Sequence, residues 1–350
     1  MEPLRSQGDP LADALIPILI DSPEWAIKIN SWSVFPNNND IAGFPKELIR
    51  FIEFYSEAPD FIEKDKVKIS QDFFNKEGNM YLAMLGFYSL PFCYAFGDGA
   101  QVLIRSKRIT DEVGLRLSET ALFLLDAYRP GTFLSDDQAL ITFAKVRLIH
   151  AYSRYFVKKY AIDWNNEWGI PINQEDMIGT NSAFSLMVIR GMEKMGRFPG
   201  KVTLEAVLHY WKIIGYYMGI NISYWPDTSK ESFELEKIIR KRQLKESEAG
   251  KVLIGSLIKY YKNSIPDKNL TSYIETIIAY FIGKEASSAL GINEEFQLPK
   301  ALYGLMLDLS FYRQSGKNPS YKKIRSLFIA KSKIDFGKEV QLHIPVIKRS

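Results

Sequence analysis

Residues 143–156 read FAKVRLIHAYSRYF: apolar side chains at Phe143, Val146, Leu148, Ile149, Tyr152 and Phe156, no Pro or Gly, and no sustained period-two alternation. A run of this kind forms a helix and not a strand. The pattern extends over 135–161 and recurs along the chain, with candidate helices at 45–57, 70–90, 108–127, 174–193, 203–220, 232–246, 250–262, 269–284, 295–312 and 319–330. Polar or Pro/Gly turns separate them, no Asn-Gly hairpin is present, and no periodic repeat is visible. The expected class is all-α, a single large helical domain.

Composition agrees with that scale. The 350 residues are 46% apolar, which excludes a disordered chain or a small disulfide-stapled module. The lone Cys93 excludes an intrachain disulfide and any Cys-clustered zinc or iron–sulfur site. A formal charge of +4 is no nucleic-acid signature. The segment from Lys317 carries nine basic against two acidic side chains, so it reads as a basic C-terminal segment, 317–350, after an N-terminal extension, 1–44, and a helical domain, 45–316. That basic face suits a solvated terminus or an anionic membrane surface. It has little aromatic interleaving, so no nucleic-acid partner is expected.

The run Leu15–Ile20 ends at Asp21 without a cleavage-type site, so no signal peptide is read there. Gly78–Gly97 is uncharged and bilayer-length but holds Asn79, Ser89 and Pro91; a buried helix broken near Pro91 is expected, with a membrane-embedded or interfacial segment as the alternative. A cytoplasmic protein, with possible peripheral membrane contact, follows. Thr110 and Ser135 are candidate helix caps, each followed by acidic residues, and Asn173 with Asp176 resembles a capping box. Tyr128-Arg129-Pro130-Gly131 should stop a helix, and Gly97-Asp98-Gly99 reads as a turn.

The chain has three histidines, His150, His209 and His343, with no short-spaced pair. Arg147, His150 and Arg154 stand at i, i+3 and i+7 on one helical stripe. Three potentially positive groups on an otherwise apolar helix need an anionic partner. Carboxylates from neighbouring helices would satisfy them as an ion-pair network. So would a planar anionic cofactor whose iron takes the imidazole and whose acid groups take the guanidinium groups; haem needs only one such ligand.

Arg116 and Thr120 share a second helical face, with Glu119 beside Arg116. They read either as a surface Arg–Glu pair or as groups placed across a pocket from His150. Asn173, Gln174 and Glu175 follow the Gly169-Ile170-Pro171-Ile172 turn and are expected to latch the His150 helix. His209 reads as a packed, hydrogen-bonded residue. Phosphate-loop, dinucleotide and nucleophile-elbow motifs are absent, and Cys93 has no evident base partner.

Three segments together, RLIHAYSR at 147–154, WGIPINQEDMIGT at 168–180 and RLSET at 116–120, resemble the oxygenase family that contains the latex-clearing proteins and the MpaB-type oxygenases. The resemblance covers roughly 75–285. It implies a globin-like helical core enclosing haem b, with His150 as proximal iron ligand. Arg147 and Arg154 would then contact a haem propionate or nearby carboxylates, and Arg116 and Thr120 would stand on the distal side. Two departures stand out. The family's lysine before the distal threonine is Glu119 here, and its distal glutamate has no counterpart, with only Asp98 or Gln101 nearby.

The expected function is therefore a haem-dependent oxygenase using dioxygen on an apolar, isoprenoid or lipid-like substrate. Arg116 would stabilise developing negative charge, Thr120 would orient a hydrogen bond, and Glu119 would act as acid or base. A haem-binding or sensing protein without turnover, and a cofactor-free helical interaction protein, are the rivals.

Overall fold

Helix ends follow local chemistry. The computed structural model describes residues 2–37, 40–106, 110–265, 271–292 and 319–347, and extended pairing among them is confined to two isolated bridges, Phe96–Leu244 and Thr132–Asp136. The chain is all-α. Four short helices come first, α1 (Glu2–Arg5), α2 (Pro10–Asp13), α3 (Ile16–Asp21) and α4 (Pro23–Asn30). Next are α5 (Lys46–Ser56), α6 (Lys64–Met84), α7 (Leu90–Tyr94), α8 (Gly97–Arg105), α9 (Val113–Ala127) and α10 (Gln138–Tyr160). The second half holds α11 (Gln174–Ser182), α12 (Val188–Lys194), α13 (Lys201–Tyr217), α14 (Ser229–Gln243) and α15 (Glu248–Ser264). It closes with α16 (Ile274–Ile282), α17 (Lys284–Leu290) and α18 (Tyr321–Phe336). The helix expected at 295–312 lies outside the described residues.

The uncharged stretch is interior helix. Between α6 and α7 the chain widens into a π turn over Leu85–Ser89, and the Leu90 N–H reaches back to the Leu85 carbonyl. Pro91 lacks an N–H and would crowd the carbonyl four residues back; the wider turn lets the chain continue through it. A second π turn spans Ala183–Met187, between α11 and α12. Buried hydroxyls bond carbonyls in both turns: Ser89 to Ala183 O (2.6 Å), Tyr81 to Phe184 O (2.7 Å) and Tyr261 to Gly86 O (3.0 Å). No helix among the described residues is long and apolar enough to cross a membrane.

Three sequence expectations need correction. Gly97-Asp98-Gly99 opens α8 and is no free turn; a Cβ at Gly97 would stand 2.8 Å from the Lys245 side chain, which explains the glycine. Thr110 does not cap α9, because the chain bends at Glu112 and the helix starts at Val113; the Thr110 hydroxyl bonds Asp111 instead. Ser135 does not cap α10: the N-cap position is Asp137, without a side-chain cap bond, and the Asp136 carboxylate before it accepts from Gln138 N at 2.8 Å. The Asn173–Asp176 capping box is present in both directions, and α9 stops at Tyr128 before Gly131 turns with φ of 92°.

One hydrophobic cluster runs from Leu4 to Ile344. The N-terminal helices bury Ala12, Leu15, Ile16, Leu19 and Ile29 completely. Near the C-terminus, α18 packs Ile324 and Phe328 inward, and Arg325 pairs with Asp126 at 2.7 Å. Lys322, Lys323, Lys331, Lys333 and Lys338 remain exposed, so the basic character lies on the solvent side. Asn30 then clasps the chain at Ile344, bonding both its carbonyl (2.9 Å) and its N–H (2.8 Å).

Candidate active site around His150

The stripe on α10 divides its partners. Arg147 is 4% exposed and Asp9 3%, and they meet through two bonds, Nε to Oδ2 at 2.6 Å and Nη2 to Oδ1 at 2.8 Å. Arg154, 1% exposed, bonds Asp13 at 2.7 Å and the Ile172 carbonyl at 3.2 Å; its Nη2 lies 3.9 Å from Asp9. Carboxylates of the N-terminal segment thus take both guanidinium groups that a cofactor's acid groups were expected to share. Gly219 fits against this pair with φ of 87°, and a Cβ there would stand 2.3 Å from Asp9 Oδ2. Gln174 holds both sides together, donating to Gly8 O (2.8 Å) and Gly219 O (3.0 Å) while accepting from Asn221 N (2.9 Å).

His150 stands between the two arginines in sequence but outside their network. Its Nδ1 is buried and has no hydrogen-bond partner. Desolvation, and then the charges of Arg154 and Arg116, push its pKa down to about 3. The imidazole is neutral at pH 7, the form that ligates a metal.

Burial governs the titration of His150, Cys93 and Asp176, and each still keeps some accessible surface. Thr180, one turn beyond Asp176, is exposed although Gly179 and Asn181 beside it are buried. A Cβ at Gly99 of α8 would stand 3.9 Å from Asp176 Oδ1. Burial pushes the Cys93 thiol up to about 12 while Thr180 bonds it, so it is no nucleophile at neutral pH. His150 lines neither of two surface clefts: one of about 700 Å³ beside Ile254, Ile258 and Ile292, and one of about 640 Å³ beside Ile104 and Val157.

On α9, Arg116 reaches Glu119 at 3.3 Å, with the arginine 36% exposed and the glutamate 9%. The Thr120 hydroxyl donates to the Arg116 carbonyl at 3.0 Å, which leaves its lone pairs to accept. Arg116 is within electrostatic reach of both His150 and Tyr94. Asp98 is 4% exposed and ion-paired with Arg5 and Lys245, each at 2.7 Å. Gln101 bonds back to Gly97 O at 3.3 Å. His209 is a packed residue whose Nε2 accepts from Glu63 N at 3.0 Å.

Two groups of the site had not been singled out for it. Asp9 and Asp13 lie four residues apart, whereas the arginines they hold, Arg147 and Arg154, lie seven apart, so spacing gave no signal of the pairing. Asp176 was read only as a cap. Burial pushes its carboxyl up to about 7, against the pull of Arg5 and the Asn173 N–H and with the push of Glu175 and Asp98. A carboxyl with a raised folded pKa keeps its proton in the native state from about pH 4 to 7, so its contribution is largest in acid and fades as pH rises through 7. Asp176→Asn keeps an acceptor for the cap. Its melting temperature, relative to the parent chain, is expected to be higher at pH 8 than at pH 5. An equal difference at both pH values would contradict the raised pKa.

The described residues contain no group of three or more His, Cys, Asp or Glu side chains suited to a bare metal ion. Haem asks for less. One neutral imidazole that keeps some accessible surface and makes no hydrogen bond at Nδ1 would suffice to hold its iron.

Comparison with known proteins follows the same line. Residues 91–306 match the family model described as ER-bound oxygenase mpaB/B′/rubber oxygenase, catalytic domain. The solved structure of latex clearing protein LCP in the closed state superposes with a TM-score of 0.72 at 21% identity, over 99% of this chain and 93% of that one. At that identity the likeness speaks for the fold. No curated protein matches the chain.

Proposed function

Since the chain belongs to the ER-bound oxygenase mpaB/B′/rubber oxygenase catalytic-domain family, we propose that it is a haem b-dependent oxygenase acting on an apolar, isoprenoid or lipid-like substrate. One observation carries the reading: His150 is neutral, keeps some accessible surface, has no hydrogen-bond partner at Nδ1, and lies within electrostatic reach of Arg116. Haem held there would supply dioxygen binding and activation.

The chain's own groups then have separable tasks. His150 holds the cofactor's iron from α10. Arg147 and Arg154 fix that helix through Asp9 and Asp13, and so set the imidazole's position from behind. Arg116 supplies positive charge within electrostatic reach of His150, where a preorganised cation acts on charge that develops during reaction. Thr120, its proton committed to the Arg116 carbonyl, accepts a hydrogen bond from substrate or water. Glu119 holds Arg116 in place and exchanges a proton as the site requires.

Oxygen uptake by haem-loaded protein supplied with a prenyl alkene tests the proposal. Uptake is expected, and Arg116→Ala should lower it by about 10²-fold or more, the usual loss when one charge-stabilising donor is removed, with haem content unchanged. A haem-loaded chain that consumes no oxygen with any such alkene would sink the turnover reading. It would favour a haem-binding sensor, for which the Arg116–Glu119 pair already speaks, since the glutamate offsets the arginine's charge.

A further inference from the structure

One side of α18 is packed and the other is not. Tyr321, Ile324, Phe328 and Ser332, at i, i+3, i+7 and i+11, form its buried side. Lys322, Ser326, Ala330 and Lys333, at i, i+4, i+8 and i+11, form the exposed side, with Lys323 and Ile334 along its edge. Lys322, Lys323 and Lys333 make no ion pair among the described residues. The nearest carboxylates are already engaged: Asp126 holds Arg325 at 2.7 Å, and Asp335 holds Lys331 at 2.8 Å. Ile334 is 82% exposed beside the lysines. Past the helix end Lys338 is exposed as well, and Glu339 is half-buried.

The spread of these charges defines the partner. Lys322 and Lys333 are about 16 Å apart along the helix axis, so they do not converge on one small anion, whereas an extended anionic surface meets all three lysines at once. The chemistry of the face favours lipid over nucleic acid. The one arginine of α18 turns to Asp126, and its aromatic rings, Tyr321 and Phe328, are buried. The face therefore lacks both the planar fork that grips phosphates in pairs and the rings on which bases stack. It offers an exposed isoleucine instead, with lysine stems that can lie along apolar surface while their ammonium groups stay in water. Apolar contact combined with lysine charge suits the boundary of an anionic bilayer.

We propose that the exposed face of α18 docks the protein on a membrane surface rich in anionic lipid, with Lys322, Lys323 and Lys333 over the headgroups and Ile334 at their apolar margin. The inner side of the helix stays packed in the core, so the contact is peripheral. It is independent of the cofactor and of the chemistry proposed at His150.

Co-sedimentation of the full chain with phosphatidylcholine vesicles, with and without phosphatidylserine, tests the proposal. Binding should require phosphatidylserine and be lost at about 1 M salt, where screening acts within about 3 Å. Lys322→Gln combined with Lys333→Gln should weaken it about 20-fold or more, at roughly fivefold for each lysine near an anionic surface. Glutamine keeps a helix propensity close to that of lysine, so α18 should persist in this variant, as circular dichroism can show. Ile334→Ser should weaken binding about threefold or more, whereas Lys230→Gln, at an exposed lysine of α14, should bind as the parent does. Failure to bind the phosphatidylserine vesicles, equal binding to phosphatidylcholine alone, or undiminished binding by the double lysine variant would overturn the proposal. So would capture of a DNA duplex in preference to the vesicles, lost in the same double variant, which would give the face to nucleic acid.

Discussion

Asp9→Ala should lower the stability of the fold by about 3–5 kcal/mol, the usual cost of stripping one partner from a buried pair. Arg147, 4% exposed, would lose both of its short bonds and keep only a 3.5 Å approach to the Tyr217 carbonyl. Arg154 would lose its second carboxylate neighbour at 3.9 Å. The comparison that isolates the pair is Asp9→Leu with Arg147→Met. Replacing both charges by apolar groups of similar volume is often neutral or stabilising, so the double variant should recover most of the loss. Urea denaturation of the single and double variants measures this coupling. A loss below about 1 kcal/mol in Asp9→Ala, the range of an exposed ion pair, would mean that the pair does not hold α10 as described.

His150→Ala should have the opposite profile, with large consequences for the cofactor and small ones for the fold. No hydrogen bond of the scaffold ends on Nδ1, and the residue is only partly buried; its removal leaves no buried partner stranded. Haem retained through purification should fall to a small fraction of the parent's, while the helical circular dichroism persists. Full haem content in the variant would remove His150 as ligand. Collapse of the helical signal would contradict its placement outside the structural network.

These two outcomes bear on how much the sequence disclosed. The stripe Arg147, His150 and Arg154 was legible because three and seven residues bring side chains to one helical face. Its two proposed solutions divide between the residues: carboxylates occupy the arginines, and the histidine alone stays unengaged. Spacing could not show this, because Asp9 lies 138 positions before Arg147 and only folding brings them together. The capping box at Asn173 and Asp176 was equally legible, being a four-residue pattern with its own hydrogen bonds. That burial also raises the Asp176 pKa depends on tertiary packing, which a four-residue pattern does not disclose. Long apolar helices announced themselves, whereas α8 did not, because its two glycines signal a turn. Gly97 is there for a different reason, the approach of the Lys245 side chain.

The chain's membership of an oxygenase family and its all-α fold set the frame for the chemistry, and the imidazole of His150 is its centre. The most direct measurement is the visible absorption spectrum of the full chain purified from cells well supplied with haem. The account predicts an intense Soret band in about stoichiometric amount, shifted when an imidazole-competing ligand such as cyanide is added. A colourless protein, folded and helical under the same conditions, would contradict it.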